Sequence, residues 1–501
     1  MKGRVMGPIA VLLTAGLTML AGAPVIAAAP VGAIGAVAGG LRDRLAWGSY
    51  PWYSGAQPAD PIAQGAVAAY LQRLQGQGID PARQGIWLQQ GDRVLAAHNP
   101  TVPLSAASLT KLATSLVALD RFGPGHRFVT EFWTDGAIAD GAIKGNLIVR
   151  TSGDPFFVWE DAIAIANDLQ ALGINRIDGN LVVEGAFAMN FLPDPQYPTA
   201  TPPIRGGEML AEALDSRRWN RAATAQHATM APGTPKPQIE LRGAVELAPG
   251  RPPSPTAAPS TDGAGRPGEA LILRYRSLPL LELVKQVNVH SNNFMAEMLA
   301  RQVGGSTAIV ERLAALTSVP KREMQQINGS GLGVDNRWSA RAIAAILLKL
   351  DNYLRHPAAN GAKTRLGPGD RYSLGDVLLV AGTERGSLQG RPTPAGATVK
   401  TGTLNTVSAL AGALPTRDRG TLWFVLINTD TPKVGILRSE QDRFLQDLRD
   451  RWGSPTETTA IAPTRTAAGT PLTGKATPGD RDRLERVWQP PTAEATKATT
   501  P

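Results

Sequence analysis

The chain has 501 residues, enough for two or three domains, and its 43% hydrophobic and 19% charged content is ordinary for a soluble globular protein. It has no cysteine, which excludes disulfides, a thiol nucleophile and thiolate metal sites, and its five histidines (His98, His126, His227, His290, His356) stand apart with no HExxH spacing, so neither a metal nor another cofactor is expected. Lys and Arg exceed Asp and Glu by 51 to 42, but that net +9 is spread thinly with no basic run interleaved with aromatics, which leaves no case for nucleic-acid binding and a mild attraction to anionic polymers.

At the start of the chain Lys2 and Arg4 precede an apolar stretch that stays uncharged until Arg42, the layout of a secretory signal. Cleavage after Ala27 or Ala28 or at Ala36-Val37-Ala38, and retention as a membrane anchor, both stay open, although the Gly and Pro content is poor for a spanning helix. Residues 1–38 are set apart on this basis. The stretch GIWLQQGDRVLAAHNP (85–100) alternates around Gly91-Asp92 and reads as a hairpin feeding a helix.

That helix is PLSAASLTKLATSLVALDRFG (103–123). Leu109, Leu112, Leu116 and Leu119 recur at helical spacing, Gly123 and Pro124 end the run, and Ser105 is expected as the N-cap. Ser108 and Lys111, three residues apart, share a neighbouring stripe within hydrogen-bonding reach of each other. This is the arrangement of a serine nucleophile beside an amine base, though so short a match carries little weight alone.

Next come short strands with Asp-Gly and Gly-Asn turns, FVTEFWTDGAIADGAIKGNLIVRTSGDPFF and INRIDGNLVVEGAFAMNF, separated by a helical stretch over 161–172; together they read as an inserted β-rich domain. Gly153-Asp154-Pro155 reads as a structural turn. From Pro232 to Gly268 the chain turns Pro, Gly, Ser and Thr rich, as an irregular connection does. Helical periodicity then returns in SLPLLELVKQVNVHSNNFMAEMLARQVGG, a helix, a polar break and a second helix, and again in WSARAIAAILLKLDNYL. ATVKTGTLNTVSALAGALP and TLWFVLIN read as adjacent strands, and beyond Gly453 the chain lacks the hydrophobic content to fold.

The polar break holds Ser291 and Asn293 as SxN, and the strand after it holds Lys400, Thr401, Gly402 and Thr403 as KTGT. SxxK, SxN and KTG in that order, on a helix, a break and a strand, are the trio of penicillin-binding proteins and class A β-lactamases. Each piece has a chemical reason. Ser108 at a helix N-terminus attacks an acyl carbon, and its backbone N–H with that of Thr403 cradles the resulting oxyanion. Lys111 serves as base only if its pKa falls about three units from a reference of ~10.4, roughly 4 kcal/mol, which burial and the cation of Lys400 supply. Ser291 relays a proton to the leaving amine while Asn293 holds Lys111 and the substrate amide. Gly402 lets a substrate backbone lie flat on the strand, and Lys400 and Thr401 offer a charge and a hydroxyl to a terminal carboxylate.

The chain resembles the class C low-molecular-mass penicillin-binding proteins, the D-alanyl-D-alanine carboxypeptidase/endopeptidase family, over about 60–450. Beyond the trio the likeness rests on GNLIVRTSGDP, GINRIDGNLVVEGAFAMNF, NGSGLGVDNRWSARAIAAILL and LLVAGTERGSLQGR. It implies an α/β (α+β) fold, a β-lactamase/transpeptidase-like core interrupted between SxxK and SxN, and 179 residues do separate Lys111 from Ser291. On this layout the core is 39–130 and 270–453, the insert with its Pro-rich connection 131–269, and the disordered tail 454–501. The implied activity is a serine D-Ala-D-Ala carboxypeptidase/endopeptidase on peptidoglycan stem peptides, exported, with β-lactam antibiotics as covalent inhibitors. Family roles carry over to Ser108, Lys111, Ser291 and Asn293 as catalytic and to Lys400, Thr401 and Gly402 as the third motif. A serine β-lactamase and a non-catalytic wall-binding protein are the alternatives; no motif places a Glu to activate a hydrolytic water, and a binder needs no lysine beside the serine. Asn328, where the family usually has Asp, and GTERGSL depart from the pattern, and 219–268 matches poorly, as a reduced second insert would.

Overall fold

The computed structural model describes residues 60–190, 202–249, 266–357, 371–455 and 483–489. The expected signal or anchor, the Pro-rich run 250–265 and most of the expected tail lie outside the described residues. Among the described residues no helix is long and apolar enough to cross a membrane.

Helix α1 (Pro61–Gly76) opens the core, capped by Asp60, whose Oδ1 accepts the N–H groups of Ile62 and Ala63, with proline at the first position where no N–H is needed. Strands β1 (Gln84–Gln90) and β2 (Arg93–His98) form the expected hairpin, and Gly91 takes the positive φ its turn requires. Helix α2 (Thr110–Phe122) then carries the leucine stripe.

The inserted region follows as β3 (Val129–Thr134), β4 (Leu147–Thr151), α3 (Trp159–Ala171), β5 (Leu181–Glu184), α4 (Pro203–Leu214), β6 (Val245–Ala248) and β7 (Ala270–Arg276). Its entry and exit strands lie side by side, Val129 opposite Arg276 and Thr134 opposite Ala270, so the chain leaves and rejoins the core at one place. The expected strands are present, and α3 and α4 alternate with β4, β5 and β6, which pair in parallel. The stretch expected as an irregular connection differs over 240–248. Glu240–Leu241 pairs with Arg176–Ile177 and β6 with β5, because Asn180 Oδ1 accepts the Ala244 N–H and the Leu181 N–H donates to Ala244 O. The tail also departs from expectation: β12 (Leu484–Arg486) pairs with β7, Leu484 and Trp488 pack on the insert's core, and Arg483 ion-pairs with Asp161 at 3.2 Å.

Beyond the insert come α5 (Leu280–Val289), α6 (Asn293–Gln302), α7 (Gly305–Thr317), α8 (Ala340–Arg355), β8 (Leu379–Val380), β9 (Thr398–Leu404), β10 (Val407–Thr416), β11 (Gly420–Asn428) and α9 (Val434–Trp452). The core sheet runs β8-β9-β10-β11-β1-β2, antiparallel throughout, so the N-terminal hairpin sits beside C-terminal strands. The alternation in VSALAGALP explains its two covered faces. Ala409, Ala411 and Ala413 turn toward Leu112, Leu116, Ile343 and Leu347, where small side chains let helices approach closely, while Leu410 and Leu414 turn toward Tyr70, Leu74, Phe444 and Leu448. The insert touches α6 through Ala188 against Phe294 and Met298.

Candidate active site

Ser108 lies in a 3₁₀ turn, Ala107–Leu109, that runs into α2. Ser105 does not cap it. Leu104 and Ser105 pair as a short strand with Trp338 and Arg337, which takes Ser105 out of capping geometry, and Ala106 precedes the turn without a side-chain cap. Ala107 has φ 48°, a left-handed conformation costly for a residue with a Cβ, and it turns the chain sharply just before Ser108. Gly331 packs so tightly on this bend that a Cβ there would stand 2.0 Å from Ala107 O.

The structure brings the three motifs together. Lys111 is fully buried, and its Nζ lies 2.9 Å from Ser108 Oγ, 2.8 Å from Asn293 Oδ1 and 2.7 Å from Ser330 O. Asn293 is the first residue of α6, whose cap is Asn292, its side chain accepting the Met295 N–H. Ser291 occupies the break between α5 and α6 with φ 52°, the second left-handed non-glycine residue at this site. Lys400, on β9 and also fully buried, donates to Ser291 Oγ at 3.0 Å and to Thr401 O at 2.7 Å.

Two lysines in a site from which water is excluded cannot both stay charged cheaply. Burial pushes Lys111 well below its usual range, the Lys400 charge pushes it the same way, and the Glu297 carboxylate opposes both. Burial alone lowers Lys400 to about 7. Both amines are thus pushed toward the neutral form, Lys111 by burial and by the neighbouring cation together.

At the end of β9, Gly402 lies flat against the Ser108 turn: an added Cβ would be 2.6 Å from Ala106 O and 3.2 Å from Ser108 N. Thr401 Oγ1 donates to Ser387 Oγ at 2.7 Å, which ties the Gly382–Leu388 stretch to the strand. Thr403 Oγ1 accepts from Arg438 Nη2 at 2.9 Å. Sequence reasoning missed Arg438, on α9 with no motif around it, and gave no part to Ser330, although the turn residues of Asn328-Gly329-Ser330-Gly331 announce a tight backbone loop. The departure at Asn328 is accommodated. Its Oδ1 accepts the Gly331 N–H at 2.8 Å, as an aspartate would, and its Nδ2 donates to Leu332 O at 2.6 Å, which an aspartate cannot do.

Comparison with known proteins adds one family match, one relative in sequence and two solved structures. The profile of the D-Ala-D-Ala carboxypeptidase 3 (S13) family matches residues 63–196 and 262–448. Carboxypeptidase DacB of Mycolicibacterium smegmatis is 26% identical over 377 residues, 67% of this chain and 73% of that protein. Among solved structures, penicillin binding protein 4 (dacB) from Haemophilus influenzae matches with a TM-score of 0.55 at 17% identity over 76% of this chain and 98% of its own. The penicillin G-acylated predatory endopeptidase Bd3459 from Bdellovibrio bacteriovorus matches with a TM-score of 0.58 at 21% identity over 77% of this chain and 96% of its own. The likeness to these two structures is one of fold.

Proposed function

The chain belongs to the D-Ala-D-Ala carboxypeptidase 3 (S13) family, a serine peptidase family acting on peptidoglycan, and on that premise we propose that it cleaves stem peptides at their D-Ala-D-Ala end through an acyl-enzyme on Ser108. One observation carries the assignment: a fully buried lysine amine, depressed by burial and a second cation, stands 2.9 Å from Ser108 Oγ.

As a neutral amine Lys111 has two N–H bonds and one lone pair. Asn293 Oδ1 and Ser330 O take the two hydrogens, so the lone pair is left facing the Ser108 hydroxyl. Ser108 Oγ bonds to the carbonyl carbon of the penultimate D-Ala as its proton passes to Lys111. The oxyanion forms against the backbone N–H groups of Ser108 and Thr403. Collapse breaks the C–N bond, and the departing amine takes the hydroxyl proton of Ser291, which Lys400 holds at 3.0 Å; the proton that Lys111 took from Ser108 replaces it on Ser291, so Lys111 is neutral again. Water then attacks the ester, giving a proton to Lys111, and as the acyl C–O bond breaks Lys111 returns that proton to Ser108 Oγ. Carboxypeptidase and endopeptidase cleavage share these steps. The Lys400 charge with the Thr401 and Thr403 hydroxyls receives the terminal carboxylate, and β-lactams, as strained amides, enter the same path and stop at the ester. The layout of residues 1–38 supports work outside the cytoplasm, with that segment removed or kept as a membrane anchor.

The direct test is to incubate the full chain with a labelled penicillin and map the adduct by mass spectrometry. One label on the peptide containing Ser108 is expected; a label elsewhere, or none, overturns the assignment. A second expectation concerns Lys400→Ala. The mutant should lose turnover of a peptide ending in D-Ala-D-Ala more than that of its C-terminal amide, because only the acid loses a charge-assisted bond of about 1.5–3 kcal/mol. The acid-over-amide preference should shrink roughly ten-fold or more. Loss of the second cation should also raise the pKa of Lys111 and move the acylation limb to higher pH. An unchanged acid-to-amide ratio would show that Lys400 does not read the carboxylate.

A further inference from the structure

The Lys111 amine has three hydrogen-bonding neighbours, and the one contributed by no motif is the Ser330 carbonyl at 2.7 Å. That carbonyl sits in the turn Asn328–Leu332, and the turn is wedged between two helices. On one side a Cβ at Gly329 would stand 2.4 Å from Ala300 Cβ and 2.6 Å from Ala296 O, so the backbone lies directly on α6. On the other, Thr114 Oγ1 of α2 donates to Gly329 O at 2.8 Å. The tie to α6 is a carboxylate: Glu297, buried, accepts the Gly329 N–H at 3.0 Å through one oxygen and the Ser330 N–H at 2.9 Å through the other.

Glu297 is four residues beyond Asn293, on the same face of α6. One helix face therefore holds the Lys111 amine twice, directly through Asn293 Oδ1 and indirectly through Glu297 and the Ser330 peptide. We infer that Glu297 is a positioning residue for acylation: by gripping two consecutive N–H groups it fixes the Ser330 carbonyl on Lys111 and so the direction of the amine lone pair. This rests on the assignment of Lys111 as the base. Two acceptors for two hydrogens leave one direction for the lone pair, whereas with one acceptor lost the amine rotates and can turn an N–H toward Ser108. Glu297 also brings the negative charge that faces the amine. The charged groups facing Lys111 are Lys400 from β9 and Glu297 from α6, and they act in opposite directions on its protonation.

The test is the second-order acylation constant for a fluorescent penicillin, measured across pH on the full chain. Glu297→Gln keeps the size of the side chain, but its amide nitrogen faces an N–H that needs an acceptor, and its charge is gone. The plateau rate should fall about 10–10²-fold, as for a misplaced reacting group, and the limb should move to lower pH because Lys111⁺ has lost its counter-charge. Thr114→Val loosens the same turn from α2 without touching charge, so it should slow acylation and leave the limb in place. Glu297→Asp keeps the charge but is too short to span both N–H groups. It should lower the rate without moving the limb to lower pH, and it decides the matter if Glu297→Gln does not fold.

A Glu297→Gln plateau within two-fold of the parent would overturn the inference. So would a limb moved to higher pH, the sign of a site merely opened to water, or a parent-like rate in Glu297→Asp. Lys111→Ala measured alongside separates the two ideas. If it acylates normally, the base is wrongly assigned; if it is inactive while the Glu297 variants behave as the parent, only the role of Glu297 fails.

Discussion

Lys111→Ala should slow acylation of Ser108 by about 10²–10⁴-fold, the usual worth of a positioned proton acceptor, and should erase the limb over which the parent's rate rises with pH. The sign follows from the site. Burial and the Lys400 charge lower the pKa of Lys111, so the neutral amine proposed to accept the Ser108 proton appears as pH rises through that lowered value. Without the amine no group takes its place at 2.9 Å from Ser108 Oγ. Lys400, the other buried amine of the site, is engaged with Ser291 Oγ and Thr401 O, so what remains should run through the Ser291 hydroxyl and be slow. The fold should survive, since Asn293 stays on α6 and the 329–331 turn stays tied to Glu297 and Thr114. Stopped-flow mixing with a fluorescent penicillin, with circular dichroism as a check on folding, decides it. An acylation constant and limb equal to the parent's would move the base elsewhere.

How much of this was legible beforehand depends on whether a residue's role is written locally. The Ser108–Lys111 pair is a matter of helical spacing, and the strand carrying Lys400 to Thr403 announces itself by its β-branched residues, so both could be read directly. The meeting of Asn293 with Lys111 across 182 positions could not. It followed only from three short motifs agreeing in order. Ser105 misled because a serine before an apolar helix is a good local cap, while its actual place is decided by pairing with Arg337, far along the chain. The strands at 240–248 and 484–486 were missed for the same reason. Their composition is that of a loop, and they are strands because Asn180, Leu181 and β7 supply partners. Glu297 and Ser330 were on the page as letters, but a carboxylate's value here lies in two peptide N–H groups 32 and 33 residues away.

Gly402→Ala should cost acylation about 10²–10³-fold, as much as losing one oxyanion donor, through a single methyl group. Gly402 does not have a positive φ, so alanine suits its backbone, and the penalty is one of space alone. The new Cβ would stand 2.6 Å from Ala106 O and 3.2 Å from both Ser108 N and Ala409 Cβ. Neither side can yield freely. The Ala106 carbonyl accepts the Leu109 N–H at 3.1 Å and so closes the turn that carries Ser108, while β9 is locked in register to β10 from Thr398 opposite Ala413 to Leu404 opposite Val407. The methyl must therefore drive the strand and the turn apart, and these carry the two N–H groups proposed to face the oxyanion. Because the added group changes no charge near Lys111, the acylation limb should stay where it is in the parent while the plateau falls, whereas Lys400→Ala should move the limb. If the plateau falls less than about three-fold, the oxyanion is not held between Ser108 and Thr403, and the substrate carbonyl must be placed differently against β9.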